Sequence, residues 1–207
     1  MKVSKKQVAQ NREALIQAAA RLFRERGIDG VGVAEICKHA RLTHGALYAQ
    51  FPSKEALAAE ALADGAAHAN EWMTTRVKGR DPTLTDHLDA YLSSQHRDDL
   101  GGGCAMAASA SEIARQPRDV SVAFSDGFSQ LVGIIERTLA KSGSAAERHQ
   151  RALAITAAMI GGVAAARATA KASPALSDDI LVAVRRLLDE VGAQAKPRAK
   201  RARVSRR

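Results

Sequence analysis

Thr43, His44, Gly45, Tyr48 and Lys54 fall together in one short stretch, RLTHGALYAQFPSK, residues 41–54. A hydroxyl, an imidazole, a phenol and an ammonium are the donors and acceptors that suit phosphate oxygens and base edges. A packed core gains nothing from that mixture, because each polar group would need its own partner there. Thr43 can cap a helix, and the free N–H groups of that helix's first turn can bind phosphate. Gly45 has no side chain, so a polyanion can approach its backbone closely. His44 and Gln50 can hydrogen-bond base edges or phosphates, and Ala46 and Leu47 can touch a thymine methyl. Tyr48 offers a rigid ring and a hydroxyl. Lys54 opens the next helix, where a cation opposes the helix dipole by roughly 0.3–1 kcal/mol. A phosphate partner would remove that mismatch.

These residues need elements to hold them. Leu15, Ala18, Ala19, Leu22 and Phe23 recur at i, i+3, i+4, i+7 and i+8, one face of a helix over 11–26. Gly27 suits its end. Residues 33–39 read as a short second helix with Val33, Ile36 and Cys37 inward, and 40–42 as a turn. A third helix follows Thr43 to about Phe51. Pro52 stops it and Ser53 caps the next. Helix, short helix, tight turn, short helix is the helix-turn-helix pattern, which lays its last helix in the DNA major groove.

The rest of the chain reads as helix too. A long helix runs over 54–77. Another starts at Asp81-Pro82 and is broken by Gly101-Gly102-Gly103, and one follows over 104–115. Further helices cover 118–141, then 144–170 behind a Ser144/Glu147 capping box, and finally a stretch opened by Ser177, Asp178 and Asp179. No stretch alternates with the period of a strand. The expected fold is all-α: a three-helix helix-turn-helix domain at 10–56 (motif about 32–51), then a six-helix ligand-binding and dimerisation domain at 57–192. A basic arm, 1–9, precedes them and a disordered basic tail, 193–207, follows.

Charge divides along the same lines. The net charge is +9, and residues 1–60 hold ten Lys/Arg against six Asp/Glu. The last fifteen residues hold seven Lys/Arg and no acid. Basic ends around a mildly acidic centre point to a polyanion partner for the ends. The tail can add non-specific DNA affinity or serve only as a solubilising end. Two cysteines far apart, Cys37 and Cys104, do not form a disulfide framework, so a reducing compartment is expected. The N-terminus is polar through Asn11, and no apolar run of about 18 residues is free of charge. The expected location is cytoplasmic, with no membrane partner.

In the second region a cavity is expected among the middle helices. Its candidate lining residues are Trp72, Met73, Leu88, Tyr91, Cys104, Met106, Phe124, Phe128 and Met159. Cys104 opens a helix behind three glycines, where first-turn N–H groups favour a thiolate. It reads as a sensor thiol or as a small buried residue. The small residues of ITAAMIGGVAAARATA and the amphipathic last helix suit a four-helix interface across a two-fold axis. No catalytic constellation, metal-ligand spacing or cofactor motif is legible.

The segment ALIQAAARLFRERGIDGVGVAEICKHARLTHGALYAQFPSKEAL resembles the DNA-binding domain of the TetR family of transcriptional regulators. Its Ala19/Leu22/Phe23 face, Gly27, Ile36, Leu47-Tyr48, Phe51 and Ser53-Lys54-Glu55 carry the resemblance, which covers about residues 10–60. It implies a ligand-responsive regulator, a repressor, that binds a near-palindromic double-stranded DNA operator as a homodimer through its last two helices. A small-molecule effector would release it. The resemblance places Thr43, His44, Ala46, Tyr48 and Lys54 at the DNA. Three positions depart from the pattern. Gly32 replaces a threonine, Gln50 replaces an aromatic or histidine, and Arg41 stands where glycine is usual. A left-handed non-glycine residue costs roughly 1–2 kcal/mol; either an Arg41–phosphate contact offsets that, or the turn differs. An architectural protein bound through its basic ends, or a helical enzyme using the cavity, are the alternatives.

Overall fold

The computed structural model describes residues 4–140 and 143–193. Ten α-helices and no strand are found among them. They are α1 (Lys5–Arg26), α2 (Val33–Ala40), α3 (His44–Tyr48), α4 (Lys54–Thr75), α5 (Leu84–Tyr91), α6 (Ser94–Asp98), α7 (Ala105–Ile113), α8 (Arg118–Thr138), α9 (Ala145–Ala170) and α10 (Pro174–Ala193).

The first helix begins earlier than its apolar face. Ser4 Oγ accepts from the Gln7 N–H at 3.1 Å, and the helix runs from Lys5. Most of the expected arm, 1–9, is therefore helical, and residues 1–3 lie outside the described ones. The segment KKQVAQ contains good helix formers and no breaker. It carries no buried stripe, so periodicity alone under-reads it.

α1 to α3 enclose a small core with the start of α4. Leu15, Leu22, Ile28, Ile36, Leu47, Phe51 and Leu57 are all fully buried, each worth about 1.5–3 kcal/mol of burial. Gly27, at φ 80°, ends α1 with its N–H on Phe23 O at 2.9 Å. Arg41 is left-handed, at φ 56° and ψ 40°. Its N–H donates to Lys38 O at 3.2 Å, and the Leu42 N–H donates to Cys37 O at 2.9 Å. The turn thus keeps a left-handed geometry with arginine in place of glycine. Thr43 caps α3 through the Ala46 N–H at 3.2 Å, and Ser53 caps α4 through the Ala56 N–H at 3.1 Å. Arg12 fastens α1 to α4: it forks onto Glu60 at 2.5 and 2.6 Å and lies 4.5 Å over the Phe51 ring.

Beyond the head, α8 packs on α4 and on α9, and α9 packs on α10. The core between them includes Met73, Leu88, Ile135, Ile155 and Met159. Seven helices follow α3 among the described residues, where six were expected. Thr83, not Asp81, caps α5, in a capping box with Asp86. The chain leaves the helix at Leu92 (ψ 39°) and restarts at Ser93. Ser93 Oγ donates to Ala90 O at 2.8 Å and accepts from the His96 N–H at 3.1 Å. A serine that satisfies backbone groups on both sides makes the break favourable. α10 begins at Pro174, a position that proline suits, so Asp178 and Asp179 sit in its second turn. Asp178 there accepts from Arg97 at 2.5 Å.

By length and composition alone, α9 is apolar enough to cross a membrane, and 44% of its most apolar window is buried inside the protein. The expected basic tail beyond Ala193 lies outside the described residues.

Candidate nucleic-acid interface and neighbouring cavity

On α3 and the turn before it, Arg41, Thr43, His44, Gly45 and Tyr48 are exposed, while Ala46 and Gln50 are half-buried. Tyr48 exposes 56% of its surface. A Cβ added at Gly45 would meet only Thr43 Oγ1, at 3.8 Å. The chain itself makes no demand for glycine at that point.

Two residues behave differently from the sequence reading. Leu47 is 0% exposed; it is the residue that seats α3 on the head core and cannot touch a thymine methyl. Lys54 points back into the protein, with Nζ donating to Ile28 O at 2.9 Å and Val31 O at 3.2 Å. Two backbone carbonyls therefore offset its unfavourable place at the start of α4. The ammonium pins the α1–α2 connection to α4, and one of its three N–H groups is left over.

A cavity of about 830 Å³ lies between α4, α5, α6, α7 and α8, with Arg24 of α1 on its wall. Trp72, Met73, Tyr91, Cys104 and Met106 line it. Leu88, Phe124, Phe128 and Met159 are not among its lining residues. Leu88 and Met159 are fully buried in the core, and Phe124 and Phe128 pack half-buried against it. Helical periodicity marks an inward face, but a wall residue and a filler residue share that face.

The wall has a polar chemistry that the sequence did not announce. His96 lies between two aromatic rings, 6.2 Å from Trp72 at 22° and 4.6 Å from Tyr91. Arg76 covers Trp72 at 4.8 Å. His96 Nε2 is buried with no hydrogen-bond partner, and the buried Tyr91 hydroxyl has the Cys104 thiol beside it. Burial, then the nearby Arg167 charge, lowers the His96 pKa to about 4, so its imidazole is neutral. Burial foremost raises the Tyr91 pKa well above 10, and the Cys104 thiol beside it adds to the shift. Asp64, Glu71, Asp89 and Asp99 outnumber Arg24 and Arg76 around the space. A ligand with a flat face and a hydrogen-bonding atom suits this lining. His96 and Arg24 gave no signal in the sequence, because each becomes a wall residue only through the α5–α6 break or the seating of α1.

The cavity and the head are mechanically joined. Arg24 Nε donates to Gly101 O at 2.6 Å. The Ile28 N–H donates to Glu112 Oε2 of α7 at 2.7 Å, and Gln116 Nε2 donates to Asp29 Oδ1 at 2.9 Å. The same stretch, Ile28–Val31, is held by Lys54. Among the described residues, no group of three or more His, Cys, Asp and Glu is placed to hold a metal ion.

Residues 15–61 match the family described as bacterial regulatory proteins, tetR family. Residues 83–177 match the family described as transcriptional regulator LmrA/YxaF-like, C-terminal domain. Over 175 residues the chain is 27% identical to the HTH-type transcriptional regulator LmrA of Bacillus subtilis (strain 168), covering 80% of this chain and 90% of that protein. Among solved structures, the reduced form of E. coli NemR is similar with a TM-score of 0.71 at 21% identity, over 87% of this chain and 95% of that one. A TetR transcriptional regulator from Legionella pneumophila is similar with a TM-score of 0.71 at 16% identity, over 92% and 98%. The two structures share the fold.

Proposed function

The chain belongs to the TetR family of bacterial regulatory proteins, a family of DNA-binding, ligand-responsive transcriptional regulators, and from that premise we propose that it is a repressor. In this reading it grips a near-palindromic operator as a homodimer and is released when an effector fills the cavity of α4 to α8. One observation carries the reading: Tyr48, His44 and Thr43 stand in solvent on a helix whose Leu47 is locked into the head. A phenol 56% exposed on such a helix has no use inside the chain and a clear one against DNA. Arg41, Gly45 and Gln50 complete the reading surface, with Ala46 at its edge. Lys54 acts chiefly by holding the loop behind it.

The dimer is supported by the exposed faces of α9 and α10. On α9, Leu153, Ala157, Gly161 and Ala165 form an exposed stripe of small and apolar side chains. On α10, Leu176, Val182 and Leu187 are 49%, 47% and 57% exposed. A flat face beside protruding leucines suits a second copy related by a two-fold axis. The working compartment of such a repressor is the cytoplasm, and its action is binding rather than catalysis. Footprinting on the DNA upstream of its own gene tests the reading. Two protected half-sites related by symmetry, one helical turn or a multiple apart, are expected. Uniform, sequence-blind protection would overturn it.

A further inference from the structure

Resting on the operator reading above, we propose that residues 194–207 hold a second DNA duplex while the heads hold the operator, so that one dimer bridges two DNA segments. The first support is where α10 delivers the chain. Near its start, Ser177 and Asp178 accept from the Arg97 guanidinium of α6, and the loop after α6 touches α1 of the head through Gly101 O and Arg24. Farther along, Arg185 donates to Asp89 of α5 at 2.7 Å. At its end, a side chain at Gly192 would strike Leu84, the first residue of α5. α10 therefore runs back along α5, away from the head. The start of α5 lies by the far end of α4, where the Arg76 guanidinium at the α4 C-cap donates to Asp86 O. The near end of α4 is held to the head by Lys54, through Ile28 O and Val31 O.

Lengths decide which duplex this stretch can reach. α4 has 22 residues, and at 1.5 Å per residue it sets the end of α10 about 33 Å from the head. Residues 194–207 lie outside the described ones, but their reach has an upper limit, because a fully extended chain spans at most about 3.3–3.6 Å per residue. Arg201 stands eight residues beyond Ala193, so it gets no farther than about 29 Å from the end of α10. Lys196, Arg198, Lys200 and Arg201 therefore stop short of the level of the head, and the operator lies beyond that level. Four of the seven basic residues in this stretch cannot serve the duplex that α3 reads. Two heads on one duplex put both tails of a dimer on the side away from it.

Composition selects the partner. Seven Lys/Arg and no acid in residues 194–207 suit a polyanion. The stretch has no aromatic residue on which unpaired bases could stack. Val204 is its only large apolar residue, too little to seat it in a lipid surface. Neutralising duplex phosphates needs neither feature; it is indifferent to sequence and is driven by counterion release. Two tails acting together strengthen a contact that is weak singly.

The test loads the 207-residue protein onto bead-bound upstream operator at about 50 mM salt and then adds a fluorescent duplex of random sequence. A variant carrying Lys196→Gln, Arg198→Gln, Lys200→Gln and Arg201→Gln keeps the length of the chain. The wild type is expected to capture the second duplex, and the variant to capture roughly tenfold less or lower still at equal loading. The two should bind a duplex no longer than the operator within about twofold of each other. Capture by the wild type should also fall by about tenfold or more when salt is raised to about 200 mM. The inference is overturned if the wild type captures no second duplex or if the variant captures as much. It is also overturned if operator affinity in the variant falls as far as capture does, since the tail then serves the same duplex. Tighter capture of single-stranded RNA or of phosphatidylserine vesicles than of duplex DNA would overturn it as well. If the protein holds its upstream DNA no better than random DNA, the operator reading falls, while capture onto any bead-bound duplex still decides the tail.

Discussion

Arg41 and His87 show what single residues contribute beyond their type. Arg41 holds a left-handed conformation that disfavours a side chain by roughly 1–2 kcal/mol, and the turn keeps it exposed beside Thr43 and His44. Arg41→Gly should therefore raise stability by about 1 kcal/mol, read as a higher urea midpoint, while operator affinity falls several-fold. A gain in both would mean that Arg41 touches no phosphate. His87 is 1% exposed, with Nδ1 unpartnered. Burial first, and the Arg76 charge next, lower its pKa from 6.5 to about 4. The folded state then refuses a proton that the unfolded chain accepts, so stability is full above pH 6.5 and is lost as pH falls from there toward 4. His87→Leu should make that part of the stability profile less steep, the remaining slope coming from His96, whose pKa is lowered alike. An unchanged slope between pH 6.5 and 4 would contradict the assignment.

At the scale of elements, Lys54 shows why a correct location is not yet a role. Its place in the first turn of a helix was legible, and so was the electrostatic mismatch. The partner was not, because the Ile28 and Val31 carbonyls come from a connection 26 and 23 residues earlier. Lys54→Met should cost about 1.5–3 kcal/mol of stability, measured by thermal unfolding, and should weaken DNA binding indirectly. Weaker binding at unchanged stability would return Lys54 to the phosphates. Caps and breakers explain most of what else was legible. Thr43, Ser53 and the Ser144/Glu147 box act where the sequence put them, since a cap is a local contact. The Ser93 break and the early start of α1 were missed for the same reason in reverse. Ser93 looks like a tolerable helix residue until its hydroxyl is seen bonding both sides, and Lys5–Gln10 has no buried face to betray its helicity. Among the cavity candidates, Trp72 and Tyr91 meet His96 only because that break turns α6 toward them, whereas Leu88 and Met159 were drawn in by periodicity and belong to the core.

For the whole molecule, the account requires two heads held at a fixed spacing by one body. The exposed apolar residues of α9 and α10 are left uncovered in a single chain and suit a second copy. Leu187, 57% exposed, is the residue to charge. Leu187→Glu should leave the fold intact by circular dichroism and shift sedimentation from dimer to monomer, with operator affinity lost because one head binds only half of the site. A dimer that survives the charge would move the interface elsewhere. The most direct test of the central claim is the ratio of affinities for the upstream operator and for random DNA, in wild type and in Tyr48→Ala, across a salt series. The account predicts a high ratio in wild type at every salt and its collapse in Tyr48→Ala, with non-specific binding and its salt slope nearly unchanged. A ratio near one in wild type, or a Tyr48→Ala ratio equal to wild type, would contradict it, because α3 would then not be the element that reads the DNA.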